Sequence, residues 1–150
     1  MMTFDGFCLT NTDNGEVLMA EDSIEQAKKV LGDFEYDNST HRMYISDVYF
    51  SERLSGSIEV NLLGFEVWNI IFKPNPKDFQ YEAHQQMYDY IASCLFNRIK
   101  TAIEPKYGEG KVIVEDRLME FTYNGISSTL RTEGAYLDVI LVSGEARIPK

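Results

Sequence analysis

Histidine and cysteine are nearly missing from this chain: two of each in 150 residues, His41, His84, Cys8 and Cys94. Two thiols do not make a disulfide framework. No Cys or His pair has the spacing of a zinc site. There is no glycine-rich phosphate loop, no G-x-S-x-G elbow and no H-E-x-x-H. The "GEG" at 108–110 opens no helix and reads as a helix-to-strand loop. Long apolar runs are missing too, since none approaches the roughly 18 residues that span a bilayer. The opening stretch, MMTFDGFCLTNTDNG, has neither the basic start nor the long apolar segment of a signal peptide. The expectation is a cytoplasmic protein with reduced thiols, no cofactor, no metal and no membrane partner.

Bases are in short supply as well. Fourteen Lys and Arg face 24 Asp and Glu, for a formal charge of −10. A nucleic-acid binder needs a basic face for phosphates, so this balance argues against that function class and the expectation is no nucleic-acid partner. The deficit is uneven: residues 1–61 hold 12 acids and 4 bases, residues 62–150 hold 12 acids and 10 bases. An acidic half of this kind suits a cationic protein partner. It also suits plain solubility.

The scarce reactive residues do not assemble into chemistry by sequence. His84 and Cys94 fall on one predicted helix, ten residues apart, so their Cα atoms lie about 15 Å apart along its axis. A nucleophile and its base must come within roughly 3 Å. Cys94 is expected as a small buried hydrophobe and His84 as a partly buried histidine near the helix start. Arg98 shares the apolar stripe, and is read as snorkelling to water, pairing with a carboxylate from the sheet, or facing an anionic ligand. Residues 10–21 have a faint calcium-loop register, with Gly15 sixth and Glu21 twelfth. Thr10, Thr12 and Asn14 occupy the other ligand positions, leaving one carboxylate where a tight loop uses three or four. A hairpin explains the same residues more simply.

What is present is a strand-rich pattern with two helices. "FCLT-NTDNG-EVLMA" predicts a hairpin. "EDSIEQAKKVLGD" predicts a short helix over about 23–31, capped by Asp22 with Glu25 as its capping-box partner and left at Gly32. "FEYD-NST-HRMYISDVYF" predicts a second hairpin. "SIEVNL" alternates as a half-buried strand, with Ile58, Val60 and Leu62 on one side. "FEVWNIIF", 65–72, is apolar on both sides and belongs inside a sheet, with Phe65, Val67 and Ile71 facing one way and Trp68, Ile70 and Phe72 the other. Pro74 and Pro76 end it. A long amphipathic helix follows over about 78–103, with Met87, Tyr88, Ile91, Cys94, Leu95, Ile99 and Ala102 on its apolar face. Pro105 and Gly108 stop it. "KVIVE", "LMEFTY", "ISSTLRT" and "AYLDVILV" complete a four-strand meander, whose Asn124-Gly125 predicts a type I′ turn. The fold class is α+β: antiparallel sheet with the long helix packed on a face and a short N-terminal helix, in one domain over 1–150.

Within the acidic half, Glu25 has Lys28 and Lys29 at helical pairing distance. Glu21, Asp22, Asp33, Glu35 and Asp37 have no such neighbour and are the candidate partner-binding residues. The leading expectation is a non-enzymatic acidic binding module, an inhibitor of the immunity type that masks a cationic partner such as a basic toxin nuclease. The nineteen aromatics, 9 Tyr, 9 Phe and 1 Trp, agree with a protein-binding surface as well as with an ordinary core. The alternative is a small-ligand protein or enzyme using a helix–sheet cavity near His84 and Arg98. A third reading is a structural subunit, which an exposed apolar edge would favour. The sequence leaves the oligomeric state open.

Overall fold

The computed structural model describes residues 1–37, 39–51, 54–75, 85–133 and 138–145, and only the backbone of 85–91, 133 and 138. Three short strands open the chain: β1 (Met2–Phe4), β2 (Leu9–Asn11) and β3 (Val17–Leu18). Helix α1 (Ile24–Leu31) follows, then β4 (His41–Ser51), β5 (Leu54–Leu63) and β6 (Glu66–Pro74). Helix α2 (Gln85–Tyr107) leads into β7 (Lys111–Val114), β8 (Leu118–Tyr123), β9 (Ile126–Glu133) and β10 (Asp138–Gly144). The fold is α+β and dominated by one ten-stranded sheet, ordered β3-β2-β1-β4-β5-β6-β10-β9-β8-β7.

The sheet is not purely antiparallel, because β1 runs parallel to β4. The expected second hairpin does not form: residues 33–37 are no strand and lie as a strap, while β4 pairs with β5 along its length and with β1 only at Val48 and Tyr49. The first hairpin is present, with Leu9 opposite Leu18. Its turn is closed by Asn11 and Asn14, whose side-chain oxygens accept from Asp13 N and Glu16 N. The meander forms as its turn residues dictate. Asn124 and Gly125 take φ of 51° and 78°, the positive values a two-residue hairpin turn needs. β10 then enters the middle of the sheet, between β9 and β6.

Strand β6 is interior, with β5 and β10 on its two sides. Its two faces are not the ones strict alternation assigns. Asn61 pairs with Asn69 but Leu62 pairs with Val67, so a bulge inserts Trp68. Beyond the bulge Val67 turns inward and joins Ile70 and Phe72 in the main core. Ile71 faces the opposite side, where it meets Ile140 and Val142 in a small second cluster. Asn61 and Asn69, both fully buried, are tied by a 2.7 Å hydrogen bond from Asn61 Nδ2 to Asn69 Oδ1.

Both helices bury side chains in the same main core. Helix α1 contributes Ile24, Ala27 and Val30. Its N-cap is Ser23, not Asp22: the Ser23 hydroxyl accepts from Gln26 N at 3.2 Å. Asp22 instead accepts from Met19 N at 2.8 Å and shapes the turn before the helix. Glu25 makes no ion pair among the described residues; the Lys28 ammonium sits 5.8 Å above the Phe34 ring.

Helix α2 continues through Pro105 to Tyr107, and Gly108 N donates back to Glu104 O at 2.8 Å. Its buried stripe is Ala92, Leu95, Phe96, Ile99 and Ile103. At 100° per residue this stripe is rotated by roughly a quarter turn from the predicted one. Phe96 and Ile103 are the large side chains that set the new centre. The rotation leaves Cys94 half-buried and outside both core clusters, and Ala102 exposed.

Candidate functional site

One end of the central sheet gathers most of the predicted acidic residues. There β4 begins at His41, which pairs with Leu62 near the end of β5. β5 turns into β6 through Gly64 and Phe65, with Leu63 opposite Glu66. Gly64 has φ of 65°, as the first position of a two-residue hairpin turn requires. Phe65, at the tip, is 79% exposed. The chain at Glu21–Asp22 is stitched alongside: Glu21 N donates to Val67 O and Val67 N to Asp22 O, both at 2.8 Å. Ser23 bridges to Glu66. Glu21 is exposed, with φ of 73°. Asp22 is half-buried and committed to Met19 N.

The strap 33–37 reaches the same end. Its sequence, Asp-Phe-Glu-Tyr-Asp, alternates, and an extended backbone sends alternate side chains to opposite sides. Phe34 and Tyr36 pack inward against the core margin. The Phe34 ring stacks on His41 with centroids 6.4 Å apart and planes 5° apart. Tyr36 meets the same imidazole edge-on at 6.3 Å. Asp33, Glu35 and Asp37 are therefore all exposed. Asp33 and Glu35 make no ion pair among the described residues. Asp37 Oδ1 accepts from the Ser39 N–H and hydroxyl, which hold its carboxyl below the usual range. Burial and the neighbouring Asp37 charge push the Tyr36 phenol up.

A second polar cluster, which the sequence did not announce, joins the turn after β1 to the end of α2. Asp5 Oδ2 accepts from Lys106 Nζ at 2.5 Å and from the Tyr107 hydroxyl at 2.7 Å. Its other oxygen accepts from Phe7 N at 3.1 Å and Cys8 N at 2.8 Å. Burial alone would raise this carboxyl, but Lys106, Cys8 N, Tyr107 and Phe7 N outweigh it and the pKa falls. Cys8 Sγ lies 3.6 Å from the Tyr107 hydroxyl. Burial pushes the Cys8 thiol up, which keeps it protonated and a poor nucleophile. Tyr107 is likewise held protonated by burial and by its bond to Asp5. Packed edge-on and tilted against the rings of Phe7 and Tyr123, this cluster acts as a latch between distant chain segments. Its members are 101 and 102 residues apart, so no local pattern signals it.

Of the two residues of the cavity reading, Arg98 is exposed on α2, and His84 lies outside the described residues. Among the described residues no three His, Cys, Asp or Glu side chains converge as a metal site requires, and no helix is long and apolar enough to cross a membrane. Sequence reasoning missed Phe65 by placing it inside the strand; the signal available was Gly64 in front of it. No family model matches the chain, and neither a curated protein nor a solved structure is similar to it.

Proposed function

We propose that this chain is a binding protein of the inhibitor or immunity type, which docks the acidic end of its sheet onto a cationic face of a protein partner. The observation that carries the reading is the strap. Phe34 and Tyr36 are anchored on His41, so Asp33, Glu35 and Asp37 are presented together to solvent, with Asp33 and Glu35 outside any ion pair among the described residues. Fixed like charges of this kind steer a partner of opposite sign and raise its association rate. Phe65 beside Glu21, Asp22 and Glu66 offers the aromatic contact that interface cores favour. A basic toxin nuclease is the partner class this chemistry suits, because a cleft that holds phosphates is itself cationic.

The test compares two immobilised proteins in the same native lysate, wild type and Asp33→Lys/Glu35→Lys/Asp37→Lys. The expected result is a set of basic proteins retained by wild type at low salt, released at high salt and lost in the triple variant. The same set retained by both proteins at every ionic strength would overturn the proposal.

A further inference from the structure

The chain contains two Asn-Gly pairs, Asn14-Gly15 and Asn124-Gly125, each exposed at the tip of a hairpin. This dipeptide carries a chemistry of its own. The backbone nitrogen of the glycine can attack the side-chain amide carbon of the asparagine, because no Cβ on the glycine obstructs the approach. Such an intramolecular reaction depends on the two atoms reaching attack geometry, so whatever holds either of them elsewhere slows it. The fold treats the two pairs differently.

Asn14-Gly15 is restrained at each reacting group. Asn14 Nδ2 donates to Lys29 O at 2.9 Å, and its Oδ1 accepts from Glu16 N at 2.9 Å. The side-chain amide is thereby held in place. Gly15 N donates to Asn11 O at 2.8 Å, which occupies the nucleophile. Asn124-Gly125 has none of these restraints. Among the described residues neither the Asn124 side chain nor Gly125 N has a hydrogen-bond partner. The ladder closes below the turn, with Tyr123 opposite Ile126, and leaves the 124–125 peptide outside it. Both glycines stand in open space, so hydrogen bonding is what separates the two sites. Ring closure at Asn124 needs only that one exposed peptide rotate out of its turn setting.

We propose that Asn124 is a modification site at which the chain converts itself to aspartate and isoaspartate. Gly125 N gives up its proton to solvent base and bonds to Asn124 Cγ. The Cγ–Nδ2 bond breaks, ammonia leaves, and a succinimide ring remains. Water then opens the ring. Cleavage of the bond from Gly125 N to Cγ leaves aspartate; cleavage of the bond to the main-chain carbonyl leaves isoaspartate, with the chain now running through Cγ. Aspartate suits the turn, since Asp-Gly accepts the same pair of positive φ values. Isoaspartate lengthens a two-residue loop by a methylene and works against the register of Tyr123 with Ile126. The Tyr123 ring packs on Phe7 at 5.7 Å and on Tyr107 at 4.9 Å, and Tyr107 is bonded to Asp5. Modification at the turn is thus transmitted to the latch between the β1–β2 turn and α2. The acidic end takes no part, so the inference stands independently of the proposed partner.

The experiment ages the whole protein in mildly alkaline buffer, native and in strong urea, and follows both sites by peptide mapping with mass spectrometry and isoaspartate by methyltransferase labelling. In the native protein Asn124 should convert at least about tenfold faster than Asn14; in urea, where neither turn exists, the two rates should agree within about threefold. Asn124→Asp should unfold at the wild-type urea concentration, whereas the isoaspartyl fraction of aged protein should unfold at a lower one. Equal native rates at the two sites would overturn the inference. So would an Asn124 that converts in urea and stays intact in the native protein. An isoaspartyl fraction as stable as wild type would overturn the coupling to the latch.

Discussion

Asp5 shows how much one side chain organises here. Its carboxylate accepts four hydrogen bonds, from Phe7 N, Cys8 N, Lys106 and Tyr107, and its pKa is lowered in the folded state. A depressed carboxyl contributes stability that is present above its unfolded value of about 3.9 and is lost as pH falls through the lower folded value. Lys106, raised by the same bond, contributes below about 10.4 and loses that share as pH rises through its folded value. The latch is therefore closed across the neutral range and opens first on the acid side. Asp5→Asn should cost about 2 kcal/mol at pH 7 and much less at pH 2, read from urea unfolding midpoints at both. An equal cost at the two pH values would mean that packing, not charge, holds this corner. At the hairpin turn Gly125 has φ of 78°, which a β-branched residue resists. Gly125→Val should cost about 1–3 kcal/mol in the same assay.

Elements differ in how far the sequence foretold them, and the differences have physical causes. The β8–β9 hairpin was legible because Asn124-Gly125 encodes its own geometry. Helix α2 was legible as a helix, but its buried face was not. Periodicity alone weighed Cys94 and Ala102 like core residues, whereas the sheet receives the larger Phe96 and Ile103. The faces of β6 were misread because a bulge, set by pairing with β5, inverts alternation at Trp68. Residues 34–37 read in the sequence as one arm of a hairpin, yet no strand forms there; only pairing makes a strand. For the candidate site this misreading did little harm, since an extended strap also sends Asp33, Glu35 and Asp37 outward. Exposed charges contribute little to folding. The triple lysine variant should thus unfold within about 0.5 kcal/mol of wild type, while its partner association slows most at low salt, where screening is weakest. A large loss of stability would show that the strap's acids serve the fold.

Across the whole molecule, the main core runs without a break from the β1–β2 region to β8–β9. Phe72 on β6 sits among Phe50 on β4, at 5.1 Å, and Phe4 on β1, at 6.2 Å. These rings join the parallel β1–β4 pair to the sheet centre. Phe72→Ala should destabilise by about 3–5 kcal/mol, measured by denaturant titration. A cost below about 1 kcal/mol would mean that the rings are not packed as a unit.

The placement of β10 bears on how the protein is made. It is the last of the ten strands to leave a ribosome, yet it fills the slot between β6 and β9. Until it arrives, the nascent chain holds two half-sheets, each with an unpaired interior edge. Closing the gap pairs residues far apart in sequence, such as Phe72 with Leu141, and such non-local closure is slow. A ribosome stalled before Asp138 would release a chain with both edges open, the kind of species that aggregates and that chaperones and proteases intercept.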